Sequence, residues 1–103
     1  MSLCLLNIIV PAALEDHFVD WLMEHPRIEG FTSMAVSGYG AAEHKMSLAE
    51  KVSGRSRRVM FQIHLLASEA EQILDQMKRD YAGADLHYML YPLLDAGHLE
   101  PHA

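Results

Sequence analysis

One cysteine, Cys4, stands in 103 residues. It excludes an internal disulfide, and neither a Cys-x-x-Cys pair nor a zinc-finger spacing is present. Such usage fits a reducing compartment, so a cytoplasmic location is expected. Basic residues are also scarce, eight Lys and Arg against 14 Asp and Glu, for a net charge of −6. Nucleic-acid binding depends on neutralising phosphates, and this balance argues against it. Long apolar runs are missing too. None approaches the roughly 20 residues of a membrane-spanning helix, so direct membrane insertion is not expected. The stretch Leu3 to Leu14 lacks the basic start of a secretory signal, and Asn7 interrupts it. There is no Walker A sequence, and the glycines of Gly38-Tyr39-Gly40 are not followed by the third glycine and helix of a dinucleotide fingerprint.

What is present is apolar and periodic. Half the residues are hydrophobic, enough for the core of one domain spanning residues 1–103. Leu3 to Val10 reads as a buried strand with apolar residues on both faces. Leu14, Phe18, Trp21, Leu22 and His25 then fall on one helical stripe that begins after Pro11 and stops before Pro26. Phe31 to Val36 reads as a second strand. Arg58 to Leu66 alternates, with Val59, Phe61, Ile63 and Leu65 on one face, and is the clearest strand in the chain. Ser68 and Glu71 have the spacing of a capping box, with Ala70, Ile73, Leu74, Met77 and Tyr81 as the stripe of the helix behind it. Gly83 supplies a helix stop. Leu86 to Tyr91 is a fourth strand, which Pro92 is expected to close.

The order is β-α-β-β-α-β, which predicts an α+β, ferredoxin-like fold: an antiparallel sheet with two helices on one face. The second sheet face is then left open. Strands one, three and four carry Leu, Ile, Met, Phe or Tyr on both parities, so that face is too apolar for a soluble monomer. It is expected to pack against sister subunits. Acylphosphatases share the element order but need a glycine-rich, arginine-bearing loop after the first strand. Here that place reads Pro11-Ala12-Ala13, which disfavours that chemistry.

The connection between strands two and three, about residues 38–57, is the strongest functional signal. A loop of that length in a small domain is usually functional or disordered. From Gly38 to Arg58 it reads GYGAAEHKMSLAEKVSGRSRR and holds five of the eight basic residues, Lys45, Lys51, Arg55, Arg57 and Arg58. Gly38 and Gly40 around Tyr39 permit close approach of a ligand to main-chain N–H groups. Ser47 and Glu50 form a second capping-box spacing, ended by Gly54. Arg55, Arg57 and Arg58 gather charge at the return to the sheet, where guanidinium groups suit phosphate or carboxylate. Two readings stay open for them: an anion site, or a solvated strand edge that discourages aggregation. If the strand has begun, Arg57 and Arg58 point to opposite faces.

Seven histidines invite a metal. Most have plainer roles: His25 at a helix C-terminus, His64 and His87 within strands, His17 at the edge of a stripe. His98 and His102 are separated by Pro101, which spoils a helical pair. His44, beside Glu43 in the loop, is the weak metal candidate.

The stretch from Gly30 to Gly40, GFTSMAVSGYG, resembles the strand that enters the T-loop of PII-like signalling proteins. The segment HKMSLAEKVSGRSRR followed by VMFQI resembles, more specifically, PII-like members found beside heavy-metal efflux pumps of the resistance-nodulation-division type. The resemblance covers about residues 3 to 99. It implies a homotrimer with long loops projecting and ligands bound in clefts between subunits, which places Gly38, Tyr39 and Gly40 at a cleft. It also implies a non-enzymatic regulator that addresses a membrane efflux protein through residues 38–57. Arg55, Arg57 and Arg58 join this candidate site on their own chemistry. The turn Tyr81 to Asp85 carries no basic residue, and the arginine-containing C-terminal motif of PII proteins is missing, which argues against ATP or ADP. The cofactor is therefore open, with a divalent metal as one candidate. The competing reading is a dimeric ferredoxin-like enzyme of the small monooxygenase or isomerase type, with His64 or His87 as general base in a pocket between sheet and helices. A third is a copper-tolerance CutA-like trimer, whose tryptophan-containing strand is not evident.

Overall fold

A computed structural model describes residues 2–40 and 55–100. Strand β1 (Leu3–Pro11) leads through a 3-10 turn (Ala12–Leu14) into helix α1 (Glu15–Glu24). Strands β2 (Thr32–Gly38) and β3 (Ser56–Leu66) follow, then helix α2 (Ala67–Asp80) and strand β4 (His87–Leu93). The sheet order is β2-β3-β1-β4 and every neighbouring pair is antiparallel. This is the expected ferredoxin-like α+β fold.

The core follows from strand parity. Cys4, Leu6, Ile8 and Val10 of β1 and Val59, Phe61, Ile63 and Leu65 of β3 are buried beneath the helices. Phe18 and Leu22 come down from α1, and Ala70, Ile73, Leu74 and Met77 from α2. The Phe18 ring lies 5.0 Å from that of Phe61 and 5.3 Å from that of Tyr81. Burying one such ring contributes about 1.5–3 kcal/mol. Burial also pushes the Cys4 thiol above its ordinary range, consistent with a small core residue.

The two helices are joined by polar contacts as well. Tyr81 Oη lies 2.7 Å from His17 Nδ1, Trp21 Nε1–H donates to Asp80 at 2.7 Å, and His25 Nε2 meets Gln76 Oε1 at 2.8 Å. His17 and Trp21 of α1 and its C-cap His25, spaced four apart, thus meet the last part and C-cap of α2, as one face of a helix requires.

Several boundaries differ from the sequence expectation, each for a tertiary reason. Helix α2 begins at Ala67, so Ser68 sits inside the first turn, and the carboxylate that accepts the cap N–H, from Leu66 at 3.2 Å, is Glu69 and not Glu71. Strand β3 stays paired up to Leu66 opposite Leu3, and Ala67 N–H donates to Ser2 O at 2.9 Å, so the chain passes directly from strand to helix. Strand β2 starts at Thr32 and runs to Gly38, and β3 starts at Ser56, because Ser37 and Gly38 find partners in Arg57 and Ser56. Strand β4 continues through Pro92 opposite Cys4. As a sheet edge, it tolerates a residue without an N–H. Pro11 closes β1 before a 3-10 turn, delaying α1 to Glu15.

The open sheet face carries Met34 of β2, Met60 of β3, Leu5 and Ile9 of β1, and Met89 and Tyr91 of β4, brought into register by the pairing. Asn7 lies among them and is buried, with no hydrogen-bond partner for its Oδ1 among the described residues. Strand β4 is exposed on both faces, from Tyr88 to Tyr91 at 41–47%. The described residues contain no helix long and apolar enough to cross a membrane.

Candidate functional site

The end of β2, the start of β3, the end of β1 and the turn after α2 meet at one end of the sheet. Between them is a cleft of about 250 Å³ lined by Pro11, Ser56, Arg57, Arg58, Gly83, Ala84 and Asp85. Its floor is Arg58, opposite Pro11 on one side and Val36 on the other. Strands flank this position on both sides, so the side chain is buried, 8% exposed, despite its charge.

A buried guanidinium needs a counter-charge. Arg58 Nη2 donates to Asp85 Oδ2 at 2.9 Å, and Nη1 donates to the Asp85 main-chain oxygen at 3.2 Å. Asp85 reaches this position with φ +64°, a left-handed conformation that aspartate tolerates better than most residues. Two residues earlier, Gly83 has φ +79° in the turn that follows α2, where Ala84 N–H donates to Tyr81 O at 3.1 Å. The helix itself is capped by Tyr81 and not stopped by Gly83 as the sequence suggests. The second carboxylate oxygen, Oδ1, is 3.4 Å from His87 Nε2. The far edge of the guanidinium is covered by Gly38. A Cβ at that position would stand 3.1 Å from Arg58 Nε and 3.3 Å from Cδ, so the absence of a side chain there gives Arg58 its path.

Of the residues singled out from sequence, Gly38 and Arg58 are in contact and Arg57 lines the same cleft. Arg57 and Arg58 occupy successive β3 positions and so leave opposite faces, as expected. Tyr39 is 72% exposed and Gly40 has φ +81°. Neither they nor the exposed Arg55 line the cleft among the described residues. His44, Glu43, the Ser47–Glu50 pair, Gly54 and His102 lie outside the described residues. Among those described, no group of three or more His, Cys, Asp or Glu side chains is placed to hold a metal.

Two cleft residues escape sequence reasoning. Asp85 carries no signal beyond its place after Gly83, because its contact with Arg58 crosses 27 residues of chain. Ser56 falls within the expected loop. It is buried at 4%, and its Oγ has no hydrogen-bond partner among the described residues. The histidines of the enzyme reading, His64 and His87, sit on the open face opposite Leu5 and Ile9. The middle of the space between sheet and helices is filled by Phe18, Phe61 and Leu6, all at 0% exposure, and a pocket of about 240 Å³ opens at its edge between α2 and β4, with His87 among its lining residues.

The family description "Protein of unknown function (DUF3240)" matches residues 1–100. The chain belongs to the DUF3240 family. A crystal structure of a DUF3240 protein from Shewanella baltica OS155 aligns with 97% of this chain and 99% of its own, at TM-score 0.78 and 20% identity. CPII, a nitrogen regulatory PII-like protein from Thiomonas intermedia K12 solved with ADP, AMP and bicarbonate, aligns with 96% of this chain and 98% of its own, at TM-score 0.71 and 15% identity. A PII-like signalling protein from Thermus thermophilus aligns with 90% and 88%, at TM-score 0.66 and 16% identity. No curated protein matches the sequence. At these identities the DUF3240 chain shares the fold of PII-like proteins, and its cleft residues must carry their own case.

Proposed function

We propose that this DUF3240 protein is a non-enzymatic, PII-like regulator that works as a homotrimer. A small ligand or a metal ion at the base of the 38–57 loop changes how that loop engages a partner protein. The observation that carries this reading is the arginine-bearing cleft at the foot of the long β2–β3 connection. A site there can couple occupancy to the loop through β2 and β3 themselves. The apolar open face supports assembly, since a monomer would leave Met34, Met89 and Tyr91 in water. The densely filled centre of the core, around Phe18 and Phe61, supports a binding protein over an enzyme with its site at the middle of the sheet. The partner is a heavy-metal efflux protein, a reading that rests on the resemblance of the segment from His44 to Ile63.

Native mass spectrometry of the purified chain, titrated with AMP, ADP, bicarbonate and divalent metals, tests this directly. The expected result is a trimer that takes up at least one of these species. A monomer or dimer, or a trimer indifferent to all of them, sinks the proposal. For the partner, the efflux protein is expected to co-purify with the intact chain and to be lost when residues 41–54 are replaced by a Gly/Ser linker of equal length.

A further inference from the structure

The cleft at the loop base contains an anion of its own. Arg58 is the buried cation of its floor, and both terminal nitrogens of the guanidinium donate to one residue, Asp85, through the side chain and the main chain. At the opposite edge, a Cβ on Gly38 would stand 3.1 Å from Nε, a tight contact. The end-on approach by which an oxyanion normally takes a guanidinium is thus occupied by Asp85, and the approach at Nε is narrowed by Gly38. Asp85 is held there by a turn that puts its φ at +64° and that of Gly83 at +79°, so the carboxylate is presented by the backbone and is not a chance contact of a long side chain. At the same wall, Ser56 Oγ is buried and has no partner among the described residues, leaving one hydroxyl donor of the cleft unspent.

We infer that Asp85 is the specificity-determining residue of this cleft: its carboxylate fills the oxyanion position on Arg58 and excludes phosphoryl groups from it. The inference rests on the regulator reading above, in which this cleft is the ligand site. A phosphate entering the cleft meets a carboxylate where it needs a cation, and like charges at contact distance repel strongly in a partly desolvated setting. The cleft therefore favours ligands without a phosphoryl group at Arg58. The neutral amide of an Asp85→Asn variant keeps an acceptor for Arg58 and removes the repulsion, at the cost of the counter-charge of a buried guanidinium, so its fold is verified by circular dichroism before titration.

Calorimetric titration of the full chain with inorganic phosphate, and with AMP as the same group on a larger frame, tests the inference at one fixed ionic strength. Asp85→Asn is expected to bind both probes at least about tenfold more tightly than the wild type. The gain is expected to vanish in the Asp85→Asn, Arg58→Gln double variant. A second measurement needs no variant: the Arg58 Nε–H resonance of the wild type should not move during a phosphate titration. Equal affinities in wild type and Asp85→Asn, a gain that survives the loss of Arg58, or a phosphate-dependent shift of that resonance would each overturn the inference. None of these three results touches the regulator reading, which fails separately, on assembly state and on binding of the wider panel.

Discussion

Tyr81 closes the end of α2 and lies at the meeting point of both helices and the sheet. Its ring contacts those of Phe18, Trp21 and His17, and its hydroxyl lies 2.7 Å from His17 Nδ1. Burial raises the phenol above its ordinary value, helped by the charges of Asp80 and Asp20. The folded phenol therefore holds its proton more tightly than the unfolded one. Its contribution to stability is whole below pH of about 10 and is lost as pH rises through the folded value. Tyr81→Phe removes the hydroxyl and with it this dependence. Near pH 7 the variant is expected to be less stable by about 1 kcal/mol, the worth of one hydrogen bond. Above pH of about 10 the gap should narrow. Urea denaturation of both proteins at neutral and alkaline pH measures it, and a constant gap would show that the hydroxyl does not titrate as described.

At the scale of elements, the β2–β3 ladder and the turn after α2 fix one side chain between them. Arg58 is pinned by Asp85 on one edge and Gly38 on the other. Gly38→Ala places a methyl group 3.1 Å from Nε and 3.3 Å from Cδ of a side chain already tied to its counter-charge. The expected cost is about 1–2 kcal/mol in chemical denaturation. Gly30→Ala meets nothing within 4 Å and serves as the control, expected near zero or slightly stabilising. Equal effects at the two glycines would show that Arg58 is not pinned.

The same elements mark how far the sequence can be read. Strand β3 is legible because its alternation is a local property, and the second helix because its stripe is. The ends of β2 and β3 are less so, since Ser37 and Gly38 become strand only through pairing with Arg57 and Ser56, across the whole of the long connection. Spacing alone misplaces the start of α2, because two carboxylates, Glu69 and Glu71, both have capping spacing to some upstream residue. The extension of β3 up to Leu66 chooses between them. In the candidate site, Gly38 and the arginines are visible as residue types. Their pairing is not. Asp85 acquires its role from a left-handed backbone and a contact across the fold, neither of which leaves a mark in local composition.

For the molecule as a whole, the open sheet face is the feature that most needs a partner. It places Met34, Met89 and Tyr91 at 41–42% exposure around the buried Asn7. If sister subunits cover it, a charge introduced there opposes assembly. Met89→Asp is expected to shift the proposed trimer to monomer in light scattering on a sizing column, with the circular dichroism spectrum retained. An unchanged mass would place the subunit contacts elsewhere. On the other face of the sheet the apolar core is complete within one chain, so the fold itself should survive this substitution.

The position of the arginine cleft and the long connection at a single end of the sheet has a further consequence. Rotation about a threefold axis leaves every feature at the same height along that axis. In the proposed trimer, the three pairs of β2 and β3 ends that flank the 38–57 segment therefore lie at the same height, and a partner that engages these segments meets three copies together. Each contact can then be weak. Once the first has formed, the others act at an effective concentration in the millimolar range, and avidity can exceed single-site affinity by about 10²–10⁴. A ligand that alters each loop slightly would be felt as the product of three small changes. Modest occupancy energies in the cleft could in this way switch a partner between held and released.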